Sequence, residues 1–69
     1  MNRVVRDYQP GDGTVYTVHF MDHTYGGILA CVNDSSMWLA FEGGEVRHLC
    51  GNNNEYTKRA VSDLVKELV

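Results

Sequence analysis

The sequence predicts an α+β domain spanning residues 1–69, an antiparallel meander of four strands, or five with the N-terminal segment, and one C-terminal helix packed on one face. Three observations lead there. Short runs rich in Val, Ile, Thr, Tyr, Phe and Trp are punctuated by Gly, Asn, Asp and Ser clusters between residues 14 and 50. The connections between those runs are hairpin-sized, which favours sequential antiparallel pairing. From residue 53 onward the apolar spacing changes to steps of three and four.

In chain order, Arg3 to Tyr8 is an edge-strand candidate, and Pro10-Gly11-Asp12-Gly13 forms a turn. Thr14 to Met21 reads as the first long strand, closed by a turn around Asp22-His23-Thr24-Tyr25-Gly26-Gly27. Ile28 to Val32, Met37 to Phe41 and Val46 to Cys50 follow, separated by turns at Asn33-Asp34-Ser35-Ser36 and Glu42-Gly43-Gly44-Glu45. Tyr56, Ala60, Val61, Leu64, Val65 and Leu68 line one helical face. Asn52 and Glu55 have capping-box spacing, and Glu55 is spaced to pair with Lys58 and Arg59.

Turn chemistry then suggests which side chains share a face. A two-residue Gly43-Gly44 turn sets Leu39 opposite His48 and Met37 opposite Cys50. A turn centred on Asp34-Ser35 sets Ala30 opposite Leu39. Strand alternation gathers Ile28, Ala30, Val32, Met37, Leu39, Phe41, Val46, His48 and Cys50 under the helix. An odd loop at Thr24 with a bulge at Gly26 adds Tyr16, Val18 and Phe20, pairing Phe20 with Ile28 and Val18 with Ala30. The opposite face then carries Thr17, His19, Leu29, Cys31, Trp38, Ala40, Arg47 and Leu49. One helix cannot cover both faces, and an apolar patch with Trp and Arg has the composition of an interface.

Composition removes several classes. Sixty-nine residues suffice for one small domain with a limited core. No apolar run is long enough to cross a membrane, and the N-terminus lacks a secretory signal's apolar stretch. Two cysteines are too few for a disulfide scaffold, so a cytoplasmic location with reduced thiols is expected. A formal charge of −3 argues against double-stranded nucleic acid as the partner.

Chemical motifs are sparse. His19, His23, Cys31, His48 and Cys50 are zinc-ligand types, but without a CxxC pair, and the expected register splits them between faces. The same split opposes a Cys31–Cys50 disulfide. A Cys31 nucleophile with His19 as base would lack an orienting group and oxyanion donors. No enzyme, cofactor or metal is therefore expected. Glu42 and Glu45 read as a solvated acidic hairpin tip that could steer the chain toward a basic surface.

The expected function is non-catalytic binding of a protein partner, by occlusion, through Trp38, Arg47, Leu49, Leu29, Cys31, His19 and Thr17, with Glu42 and Glu45 at the tip. Small acidic chains of this style are common among phage and mobile-element accessory proteins that inhibit a host factor, an analogy of size alone. Two alternatives use the same face: a homodimer that gains core by pairing, and a single-strand nucleic-acid binder stacking bases on Trp38.

Overall fold

Chain order is also sheet order. The computed structural model describes residues 3–33 and 36–68, with the backbone alone at 22–24. Strands β1 (Val4–Tyr8), β2 (Tyr16–Thr24), β3 (Gly27–Val32), β4 (Ser36–Ala40) and β5 (Val46–Cys50) form one antiparallel sheet, and helix α1 (Glu55–Leu68) packs across it. The α+β meander with a C-terminal helix is as expected. The N-terminal segment is the fifth strand and lies in the plane of the sheet beside β2, so it extends the sheet without covering a face. The expected Asp34-Ser35 turn centre and the side chains of Asp22 and His23 lie outside the described residues.

The helix follows its sequence pattern. Thr57, Ala60, Val61, Leu64 and Val65 are buried against the sheet, with Tyr56 and Leu68 packed at the margins. Its start lies two residues beyond the Asn52 expectation. Asn54 is the N-cap, its side-chain oxygen accepting from the backbone N–H groups of Tyr56 (2.9 Å) and Thr57 (2.8 Å). Arg59 donates to the Pro10 carbonyl at 3.0 Å, and Tyr8 donates to the Asp63 carboxylate at 2.6 Å, tying the β1–β2 region to the helix. That bond raises the Tyr8 pKa above its usual value, because ionising the phenol would set two anions together.

The core agrees with expectation on β2 and β3 and departs from it on β4. Tyr16, Val18, Phe20, Ile28, Ala30 and Val32 all face the helix. Phe20 pairs with Ala30 and Val18 with Val32, two residues along from the expected partners but on the same face, because the turn is the two-residue Tyr25-Gly26 rather than the expected odd loop at Thr24, and the bulge falls between Phe20 and His23 rather than at Gly26. On β4 the pairing is offset by one: Val32 faces Ser36, Ala30 faces Trp38 and Ile28 faces Ala40. A one-residue offset exchanges the faces of a whole strand. Trp38 (1% exposed) and Ala40 are therefore under the helix, while Met37, Leu39 and Phe41 are carried to the opposite side. The expectation of an outward Trp38 and Ala40 is overturned.

Packing explains the offset. A buried indole removes about 150–250 Å² from water and needs a partner for its N–H. Both needs are met here. Ala30 directly across the strand pair and Ala40 two positions along leave room for the ring, and Ala60 supplies a small residue on the helix side of the core. The indole N–H donates to the Ser36 hydroxyl at 3.0 Å, and Ser36 is itself buried.

The β4–β5 connection follows the same choice. Gly44 N–H donates to the Phe41 carbonyl and Phe41 N–H to the Glu45 carbonyl, so the loop is Glu42-Gly43-Gly44, one residue longer than a two-residue turn. Both glycines take positive φ, 91° and 96°, a region that L side chains avoid. Leu39 then pairs with Arg47 and Trp38 with His48, whose ring meets the indole edge-on at 5.0 Å. Beyond that pair β5 inserts one extra residue, Leu49, and Met37 faces Cys50. Cys50, expected beneath the helix, is exposed on the outer side.

Candidate functional site

The outer face of the sheet is the surface that this fold leaves uncovered. Each strand contributes alternate residues. From β1 to β5 these are Val5 and Asp7, Thr17 and His19, Leu29 and Cys31, Met37 and Leu39, then Arg47, Leu49 and Cys50. Phe41 continues the β4 series and lies against Gly27, where an added Cβ would meet the ring at 3.0 Å.

Two cross-strand rows run through the centre. Val5, His19, Cys31, Met37 and Cys50 form one; Leu29, Leu39 and Arg47 form the next. Leu39 is 6% exposed although no helix lies over it, so its outer-face neighbours bury it themselves. Val5 and Leu49 are 43% and 48% exposed at the two margins. Leu29, Cys31, Met37 and Phe41 are half-buried between them.

Polar groups frame the patch. The Thr17 hydroxyl donates to Asp7 at 2.7 Å on the β1 side. On the other side Arg47 lies 5.3 Å from the Phe41 ring centroid and 3.5 Å from the Glu45 carboxylate. Arg47 and Glu45 are both largely exposed, so the pair contributes little to stability. Glu42 and Glu45 sit at the exposed β4–β5 tip.

Burial raises the Cys31 thiol above its ordinary pKa, and the nearby Cys50 adds to the rise while Arg3 opposes it. At neutral pH Cys31 is therefore a protonated thiol, the opposite of an activated nucleophile. Both cysteines are free. They flank Met37 from opposite sides, two strand spacings or roughly 9.6 Å apart, beyond the reach of a disulfide.

Of the residues expected on this face, Thr17, His19, Leu29, Cys31, Arg47 and Leu49 are there, and Trp38 is not. With Ala30 opposite Trp38 rather than Leu39, Cys31 faces Met37 and Leu29 faces Leu39 across the strand pair. Val5, Asp7, Met37, Leu39, Phe41 and Cys50 are the members that sequence reasoning missed. For the β4 members Met37, Leu39 and Phe41 the signal was the trio Ala30, Ala40 and Ala60, whose small size marks where a large ring belongs. His48 is on the helix side, as expected, but exposed rather than interior, with Nε2 2.9 Å from the Gly51 carbonyl.

Among the described residues no helix is long and apolar enough to cross a membrane, and no three His, Cys, Asp or Glu side chains group as metal ligands would. No family model matches the chain, and no curated protein or solved structure matches it either.

Proposed function

We propose that this chain is a non-catalytic protein-binding module that occludes its partner through the outer face of the sheet. The observation that carries this reading is the asymmetry of the sheet. One face packs its apolar centre under α1, and the other presents Val5, Leu29, Cys31, Met37, Phe41 and Leu49 with Arg47 at the rim. A continuous apolar patch with a cationic rim is the composition of a protein interface. The acidic tip at Glu42 and Glu45 favours a partner that is basic beside an apolar surface. Free thiols on the face fit a reducing compartment, the cytoplasm. The single-strand reading loses support, because the one indole is under the helix and unavailable for base stacking.

The test is affinity capture with immobilised wild type beside Leu49→Glu, Arg47→Glu and a control, Lys58→Glu, on the exposed side of the helix. The reading expects a protein retained by wild type and Lys58→Glu and lost from both outer-face variants. Equal retention by Leu49→Glu would contradict it. Sedimentation of the purified chain distinguishes the homodimer. A doubled mass that Leu49→Glu halves would make a second copy the occupant.

A further inference from the structure

The register of the outer face brings together side chains that a two-residue Gly-Gly turn would have separated. His19, Cys31, Met37 and Cys50 come one each from β2 to β5, and each lies directly opposite the next. Directly opposed residues have Cβ atoms about 4.5–5.5 Å apart. Cys31 is thus flanked by an imidazole on one side and a thioether on the other, at directly opposed positions on one face of the sheet. Leu29 and Leu39, in the adjoining row, wall one side of this trio with apolar surface.

The ligand types decide the ion. Zinc needs four nitrogen, oxygen or thiolate donors, and the described residues gather no such group. Thiolate and thioether are soft donors, which select copper(I), and imidazole suits copper as well. A monovalent closed-shell ion is content with two or three such donors, so three on a flat sheet face suffice where a tetrahedral dication would be under-coordinated.

We propose that the outer face holds a copper(I) site in which the Cys31 thiolate, the His19 imidazole and the Met37 thioether form a three-coordinate set, with Cys50 outside it. Binding breaks the Cys31 S–H bond and forms a sulfur–copper bond; the proton leaves to solvent and the oxidation state of copper is unchanged. The ion therefore competes with a proton, and affinity rises with pH. The site shares Cys31 and Met37 with the proposed partner contact, but it is assayed on the purified chain alone, so either can fail without the other.

The experiment is anaerobic titration of the reduced protein with copper(I) against a coloured copper(I) chelator. One ion per chain is expected, with no change in sedimenting mass. Cys31→Ser should abolish competition, and His19→Gln and Met37→Leu should each weaken binding by about tenfold or more. Cys50→Ser should keep the one-to-one stoichiometry, and zinc should not bind. Addition of copper(I) to wild type should also shift the Met37 methyl resonance, a readout that needs no variant to fold. Wild-type affinity in Met37→Leu, an unmoved Met37 methyl, or an ion bridging thiols of two chains with doubled mass would each overturn the site.

Discussion

The β2–β3 and β4–β5 hairpins each contain one bulge and use it differently. In β2–β3 the turn is two residues, Tyr25 and Gly26, both at positive φ (49° and 81°), as a type I′ turn requires. Counting strictly from that turn would place His19 and Met21 under the helix. The extra residue between Phe20 and His23 shifts the count by one and returns Val18 and Phe20 to the core. In β4–β5 the longer glycine loop sets the count at once, and the bulge at Leu49 acts only at the far end, turning Cys50 outward. Turn length alone therefore does not assign a face. The side chains with most to gain from burial do, and loops and bulges adjust to them.

The sharpest way to break this comparison is to truncate one large side chain on each face. Trp38→Ala should cost about 3–5 kcal/mol in urea unfolding and bring a chain of this size close to unfolding at room temperature. Leu49→Ala should change stability by less than about 0.5 kcal/mol, as exposed sites do. Equal costs at the two positions would mean that the faces are not distinct. Next in size, Ser36→Ala leaves the buried indole N–H without its acceptor and should cost about 1–3 kcal/mol by the same measurement.

Smaller effects test the connections. Gly44→Ala places a Cβ at φ 96° and against the Lys66 side chain, and should destabilise by about 1 kcal/mol through backbone strain. Asn54→Ala removes the helix cap and should cost about 1 kcal/mol, read as loss of thermal stability and of helical circular dichroism. The smallest effect is a pH dependence. Desolvation pushes the Asp12 carboxyl up, but hydrogen bonds from the Tyr16 hydroxyl and the Thr14 N–H outweigh it, with Arg59 also favouring the anion, so its pKa is lowered. A folded-state pKa below the unfolded one contributes stability that is present above the unfolded value, about 3.9, and lost as pH falls through the folded value. The difference in melting temperature between wild type and Asp12→Asn should therefore shrink as the solution is acidified below about pH 4.

Much of the fold was legible in the residues themselves. The helix pattern from Tyr56 to Leu68 needed only its period, and Tyr16, Val18 and Phe20 identified the inner face of β2 by apolar content. What could not be read locally was β4, because both of its faces are apolar: Met37, Leu39 and Phe41 on one, Trp38 and Ala40 on the other. Alternation gives no contrast in such a strand, so face assignment passes to the loop count, where a single residue decides. The tie is broken in three dimensions by the alanines around the indole and by Ser36 beneath its N–H. The candidate site inherited that ambiguity. The expected β2 and β3 residues lie on the outer face, β5 adds Cys50 to it, and the β4 residues there change from Trp38 and Ala40 to Met37, Leu39 and Phe41.

Everything proposed for the outer face depends on the indole being on the other side. Trp38 is the chain's single tryptophan, so intrinsic fluorescence reports on that position alone. The account predicts a short-wavelength emission that acrylamide hardly quenches in the folded protein, moving to longer wavelength and becoming readily quenched in denaturant. An emission already red and freely quenched under native conditions would put the ring in water and contradict the assignment of both faces.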